Sequence, residues 1–161
     1  MRDRLGEERV GKLLLQFAVP SVISMLVSAL YNIVDQIFIG NGIGINGNAA
    51  TNVAFPLSTL CTSLALLFGI GGASNFNLNM GAKDYKKAAK YVGNAVFLLL
   101  SSGILLCVVV RIFLRPLMLL FGATEDTLGY ALEYTGITSL GFPFLILSTG
   151  GSALVRADGS P

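Results

Sequence analysis

Asp35 stands among Leu30, Ile33, Val34, Ile37, Phe38 and Ile39, with no lysine, arginine or histidine close enough along the chain to pair with it. A carboxylate at the centre of a bilayer costs about 2.5–3.5 kcal/mol, so one placed in such a stretch marks a functional site by default. Ser21, Ser24, Ser28, Asn32 and Asp35 follow one another at spacings of 3, 4, 4 and 3. At about 100° per residue they share an arc of roughly 80° on one helix face. Lipid disfavours such a face, which is expected to look toward other helices or a wet cavity. An intramembrane carboxylate there reads as a functional site, against the plainer reading that Asp35, about 6 Å of helix rise from Gly40, reaches the outer headgroups; the Asn32 amide, nearly a turn earlier, can offer a donor or an oxygen to either form of the carboxyl. The serines taken alone read as packing residues, since small hydroxylic side chains let membrane helices approach closely.

Other chemistries have little to stand on. The chain has no histidine, which removes a histidine base, a zinc triad and a serine–histidine pair. Cys61 and Cys107 lie in apolar stretches and read as small hydrophobes rather than a disulfide or a metal site. "FGIGGAS", Phe68 to Ser74, lacks the Gly-Lys-Ser/Thr of a phosphate loop and lies in an apolar helix; Gly69, Gly72 and Ala73 there read as close helix packing. Glu125 and Asp126 follow Thr124, a fair helix N-cap, so that acidic pair caps rather than catalyses. The expectation is no enzyme, no metal, no organic cofactor and no nucleic-acid partner.

The elements that carry these residues follow from composition. Of 161 residues, 53% are hydrophobic and 12% charged, about half the charge of a soluble domain. The deficit is gathered into four blocks, about 13–39, 49–78, 91–114 and 128–154, each at or beyond the roughly 20 residues a spanning helix needs. They are too long and too unalternating for the strands of a membrane barrel. The expected fold is an all-α membrane protein: a cytoplasmic N-terminal segment 1–12, a transmembrane bundle 13–156 of four helices, and the start of a cytoplasmic loop at 157–161 where the sequence breaks off. The first block is too long for a cleavable signal.

Orientation follows from the basic residues. Nine of the eleven flank one side: Arg2, Arg4, Arg9, Lys12, Lys83, Lys86, Lys87, Lys90 and Arg156, leaving Arg111 and Arg115 on the other. The excess puts the N-terminus in the cytoplasm, and the lysine-rich segment Met80–Gly93 reads as a connector beside anionic headgroups. Pro20 removes one hydrogen bond within the first helix and predicts a bend there; Pro143, beside Gly141, predicts another in the fourth. The second helix carries a weaker polar face, Asn52, Thr59, Ser63, Ser74 and Asn77, interrupted by Leu66 and Ile70.

Taken in order, "AVPSVISMLVSALYNIVDQIFIG" (Ala18–Gly40), "AATNVAFPLSTL" (Ala49–Leu60), "GIGGASNFNLNMGAKDYKKA" (Gly69–Ala88) and "RADGSP" (Arg156–Pro161) resemble the N-terminal third of a MATE transporter, the multidrug and toxic compound extrusion family of cation-coupled antiporters. The resemblance implies a whole protein of twelve helices in two six-helix bundles, opening alternately to the two sides of the plasma membrane. It implies export of small-molecule organic cations and drugs against Na⁺ or H⁺, with membrane lipids and the missing C-terminal helices as partners. It assigns ion or proton coupling to Asp35 and helix bending to Pro20. The remaining ion ligands usually come from helices beyond this chain. A lipid or polysaccharide flippase of the wider superfamily and a non-transporting structural subunit are the alternatives, the second needing no intramembrane carboxylate. "NFNLNMG", Asn75 to Gly81, is richer in asparagine than the family pattern.

Overall fold

The computed structural model describes residues 10–158, with side chains from Ala18 onward apart from Ser21. Arg2, Arg4, Arg9 and the last residues of "RADGSP" therefore lie outside the described residues, as do the side chains of Lys12 and Ser21. The described residues are helical throughout apart from short turns, and they form two units, one ending at Gly44 and one starting at Ile45. Four stretches are long and apolar enough to cross a membrane: Ala18–Gly42, Ile45–Gly81, Tyr85–Ile112 and Glu125–Ala157. The protein is an all-α, multi-pass membrane protein.

The first unit is helix α1, Val10–Gly42, which runs on through Pro20 without a break in its helical assignment. It ends where glycines collect, and Gly44 adopts φ +87°, a conformation open to glycine at no steric cost.

The second unit is built around α2, Ile45–Gly81, which packs against α3 (Tyr85–Ile112), α5 (Glu125–Thr138) and α6 (Phe142–Ala157). Its buried residues are Gly47, Ala50, Ala54, Leu57, Cys61, Ala65, Gly69 and Ala73. They recur at three or four, the period of one helix face. Nearly all are small, as expected where lipid supplies no hydrophobic drive and close backbone approach must. Ala95, Leu99 and Val110 of α3, Met118 of the short α4 (Leu114–Leu120), Ala131 of α5, and Phe142, Ile146 and Leu154 of α6 join them in the core.

Two boundaries depart from the hydropathy reading. The segment Met80–Gly93 is not a loop: α3 begins at Tyr85, so Lys86, Lys87 and Lys90 are helical. The turn before it is closed by Lys83 at φ 60°, with the Asp84 N–H bonded to the Asn79 carbonyl at 2.9 Å and Lys83 N–H to Met80 at 3.0 Å. A left-handed residue after the last helical turn closes a helix in this way. Asp84 then opens α3 by accepting from the Lys87 N–H at 3.1 Å. Apolar counting starts the helix too late because lysines carry their charge outward on long apolar stems.

The fourth span is two helices rather than one. A 3₁₀ turn, Ser139–Gly141, separates α5 from α6, and Pro143 sits in the first turn of α6. Proline is at home there because its missing N–H would have no helical partner at that position. At the other end of α5, Thr124 holds the N-cap position with Glu125 and Asp126 in the first turn, and its N–H donates to Thr127 Oγ1 at 3.0 Å.

Candidate functional site

The polar face of α1 is held by bonds along its own helix. Ser28 Oγ donates to the Ser24 carbonyl at 2.9 Å, and Asn32 Nδ2 donates to the Ser28 carbonyl at 2.8 Å. Hydroxyls and amides buried in apolar surroundings need such partners, and back-bonding to the preceding turn supplies them without a second element. Ser24, Ser28 and Asn32 are exposed, as is Pro20, whereas Asp35 is half-buried. The Asn32 amide is thus turned toward Ser28 rather than toward Asp35, and among the described residues Asp35 has no hydrogen-bond or ion-pair partner. The unbroken run of α1 from Val10 to Gly42 keeps all four residues on one helix, and so on one face.

The electrostatic consequence is direct. A carboxylate on a helix of lipid-crossing length, with no cation on its own helix near it, is costly to keep charged in lipid. Asn32 Oδ1 and the serine hydroxyls are the neighbouring oxygens on the same face. Oxygen ligands suit hard cations. The described residues contain no group of three or more histidine, cysteine, aspartate or glutamate side chains placed to hold a metal ion.

In the second unit the polar residues of α2 behave in the same way. Thr59 Oγ1 donates to Phe55 at 3.2 Å and Ser63 Oγ to Thr59 at 2.9 Å. Asn52, Thr59, Ser63, Ser74 and Asn77 are all exposed, and the opposite face is the core. Close packing at "FGIGGAS" is as expected: a Cβ on Gly69 would lie 2.6 Å from the Gly150 carbonyl oxygen, and one on Gly72 would collide with Ala95. Cys61 is buried and Cys107 half-buried, both as free thiols.

Three features escape the sequence reading. Pro56 lies inside α2, which continues through it. Glu133 is an exposed carboxylate two turns inside the fourth span; a lone glutamate between Leu132 and Tyr134 was the available signal. Arg111, read as a residue at the edge of a connection, reaches the fourth span, its Nη1 donating to the Gly136 carbonyl at 2.8 Å. That carbonyl also accepts from Ser139 Oγ at 3.1 Å, so the arginine stitches the helix where the 3₁₀ turn interrupts it. Charge-assisted bonds of this kind are among the stronger ones, but this one joins residues 25 apart and has no local sequence signature.

With this arrangement in hand, the chain can be set beside known proteins. The MatE family model matches residues 20–161. The multidrug export protein MepA of Staphylococcus haemolyticus (strain JCSC1435) is 28% identical over 155 residues, covering 96% of this chain and 34% of the relative. The MepA of Staphylococcus saprophyticus is 30% identical over 152 residues, with 94% and 34% covered. A solved structure of the MATE multidrug transporter DinF-BH in complex with R6G superposes with a TM-score of 0.86 at 36% identity, covering 98% of this chain and 35% of that one. The chain spans about a third of the length of these relatives.

Proposed function

The chain belongs to the MatE family, and from that premise we propose that it supplies the first four membrane helices of a cation-coupled antiporter that exports organic cations and drugs across the plasma membrane. The relatives are named for multidrug export, and DinF-BH is described in complex with R6G. Activity belongs to a protein about three times this length, with two six-helix bundles opening alternately around a midplane site.

The observation that carries the coupling role is Asp35: half-buried, without an ion-pair partner among the described residues, at the end of a polar face on a helix of membrane-crossing length. A group in that position binds H⁺ or Na⁺ in one state of the transporter and releases it in the other. A ligand shifts a two-state equilibrium only by its differential affinity for the two states, and a change in the charge at Asp35 supplies such a difference. Asn32 is the neighbouring oxygen on that face, Ser21, Ser24 and Ser28 extend it as a cavity lining, and Pro20 is the place where α1 bends between states.

Asp35→Asn in a complete transporter carrying this segment keeps the shape and removes the titration. Ion-driven dye efflux from reconstituted vesicles is expected to fall to background while the protein remains folded by circular dichroism. Efflux by the variant with normal dependence on the ion gradient would show that Asp35 is an interfacial anchor only.

A further inference from the structure

A groove of about 180 Å³ opens between α2 and α3, lined on the α2 side by Leu67, Phe68 and Asn75 and on the α3 side by Tyr91, Asn94 and Leu98. It lies beside the tight Gly72–Ala95 contact, where the two helices meet without side chains between them. Its lining is graded along the helix axis. Leu67, Phe68 and Leu98 form the apolar end, farthest from the Lys83–Asp84 turn. The amides of Asn75 and Asn94 follow, then the Tyr91 phenol, and beyond the lining, in the next turn of α3 toward its start, come Lys90 and Lys87. Lys87, Tyr91, Asn94 and Leu98 repeat at four, three and four and so share one face of α3, with Lys90 on its flank. About 6 Å of helix rise separates Lys90 from Asn94.

The asparagines account for part of the unusual "NFNLNMG" run. Asn75 Nδ2 donates to the Gly71 carbonyl at 2.8 Å and Asn79 Nδ2 to the Asn75 carbonyl at 2.7 Å, which aligns them along the groove side of α2. Each such bond uses one of the two amide hydrogens, leaving the second hydrogen and the oxygen of Asn75 for a ligand. Asn94 has no hydrogen-bond partner among the described residues, and an unpaired amide within a membrane-crossing helix is costly. Lys87 is shared with Asp84, whose Oδ2 lies 3.0 Å from Nζ. Lys90 has no ion-pair partner among the described residues.

We propose that this groove holds one acyl chain of an anionic phospholipid from the leaflet on the Lys83–Lys90 side, with the lipid phosphate at Lys90 and Lys87 and its ester carbonyls at the amides of Asn94 and Asn75. The order of groups from mouth to floor is the order of a phospholipid: anion, ester oxygens, hydrocarbon. The charge at the mouth selects the headgroup, since Lys86, Lys87 and Lys90 face only Asp84 nearby in sequence. Basic recesses between membrane helices are a recurrent setting for anionic headgroups. Another membrane helix could lie along the apolar floor, but its hydrocarbon side chains would leave the lysines at the mouth without a counter-charge.

The test uses the 161-residue chain in vesicles of phosphatidylcholine containing a minority of phosphatidylglycerol. A phosphatidylglycerol with a photoactivatable diazirine on one acyl chain is compared with the matching phosphatidylcholine, and adducts are mapped by mass spectrometry. Adducts from the phosphatidylglycerol probe are expected on residues 67–75 and 91–98, with roughly fivefold fewer from the phosphatidylcholine probe, and a similar fall for Lys90→Gln, given the weight of one lysine at an anionic surface. Both probes occupy both leaflets, so the outcome is independent of the orientation proposed above. Equal labelling by the two headgroups would reduce the groove to ordinary lipid-facing surface and overturn the proposal. So would adducts elsewhere on the chain with none in the groove, the result expected if a second copy or another helix covers it.

Discussion

Asp84 and Asp35 show how differently one residue type can be set in this chain. Asp84 lies outside the spans and has a built role. The Lys87 N–H, and then the Lys87 ammonium, hold its carboxyl below the usual carboxylate range. A carboxyl whose folded value is depressed stabilises the fold fully above its unfolded value, about 3.9, and loses that contribution as pH falls through the lower folded value. The thermal midpoint of the chain in detergent is therefore expected to exceed that of Asp84→Asn at neutral pH, and the gap is expected to close below about pH 4. A gap that persists unchanged in acid would show that the charge of Asp84 contributes nothing. Asp35 has no such arrangement on its own helix. That contrast is the residue-scale argument for the coupling role proposed for Asp35: a structural carboxylate comes with its donors, and Asp35 has none among the described residues.

At the scale of elements, two adjacent glycines separate packing from mere flexibility. A Cβ on Gly150 would collide with Leu99 and lie 2.9 Å from the Ala65 carbonyl oxygen, whereas one on Gly151 meets nothing within 4 Å. Gly150→Val is expected to destabilise the α2–α3–α6 packing by about 1–3 kcal/mol, the usual range for overfilling a packed core. Gly151→Ala is expected to be neutral or stabilising by about 0.5–1 kcal/mol, through helix propensity alone. Loss of helicity on titration with a denaturing detergent measures both, and equal costs at the two positions would refute the packing assigned to Gly150. The spans themselves were legible, because apolar length is a local property, and so was the small-residue character of Gly69, Gly72 and Ala73. What periodicity could not reveal is which partner each face meets. The start of α3 at Tyr85, the split of the fourth span at Ser139–Gly141 and the bond from Arg111 to Gly136 all depend on capping or tertiary contacts. The proline beside Gly141 marked the place of the split without deciding between a bend and a break.

For the whole molecule, the number of spans and the distribution of charge constrain each other. Four candidate spans lead to the expectation that the segments before the first and after the fourth share one side, and the basic residues fit that expectation: Lys83, Lys86, Lys87, Lys90 and Arg156 fall at one set of span ends, Arg111 and Arg115 at the other. Arg111 is held by the Gly136 carbonyl within the protein, which weakens its claim as a topological signal and leaves the bias stronger than the count suggests. We therefore expect the turn at Lys83–Asp84 to face the cytoplasm and Asn46, beside the connection from α1 to α2, to face outward. In a background lacking Cys61 and Cys107, an impermeant maleimide applied to intact cells should label Asn46→Cys and spare Asp84→Cys. Permeabilising the membrane should then expose Asp84→Cys, which separates a hidden cysteine from an unreactive one. The reverse pattern would invert the bundle. It would carry the lysine end of the α2–α3 groove to the outer leaflet and Asp35 toward the cytoplasmic end of α1, so that the ion proposed to bind at Asp35 would have to reach it from the opposite side.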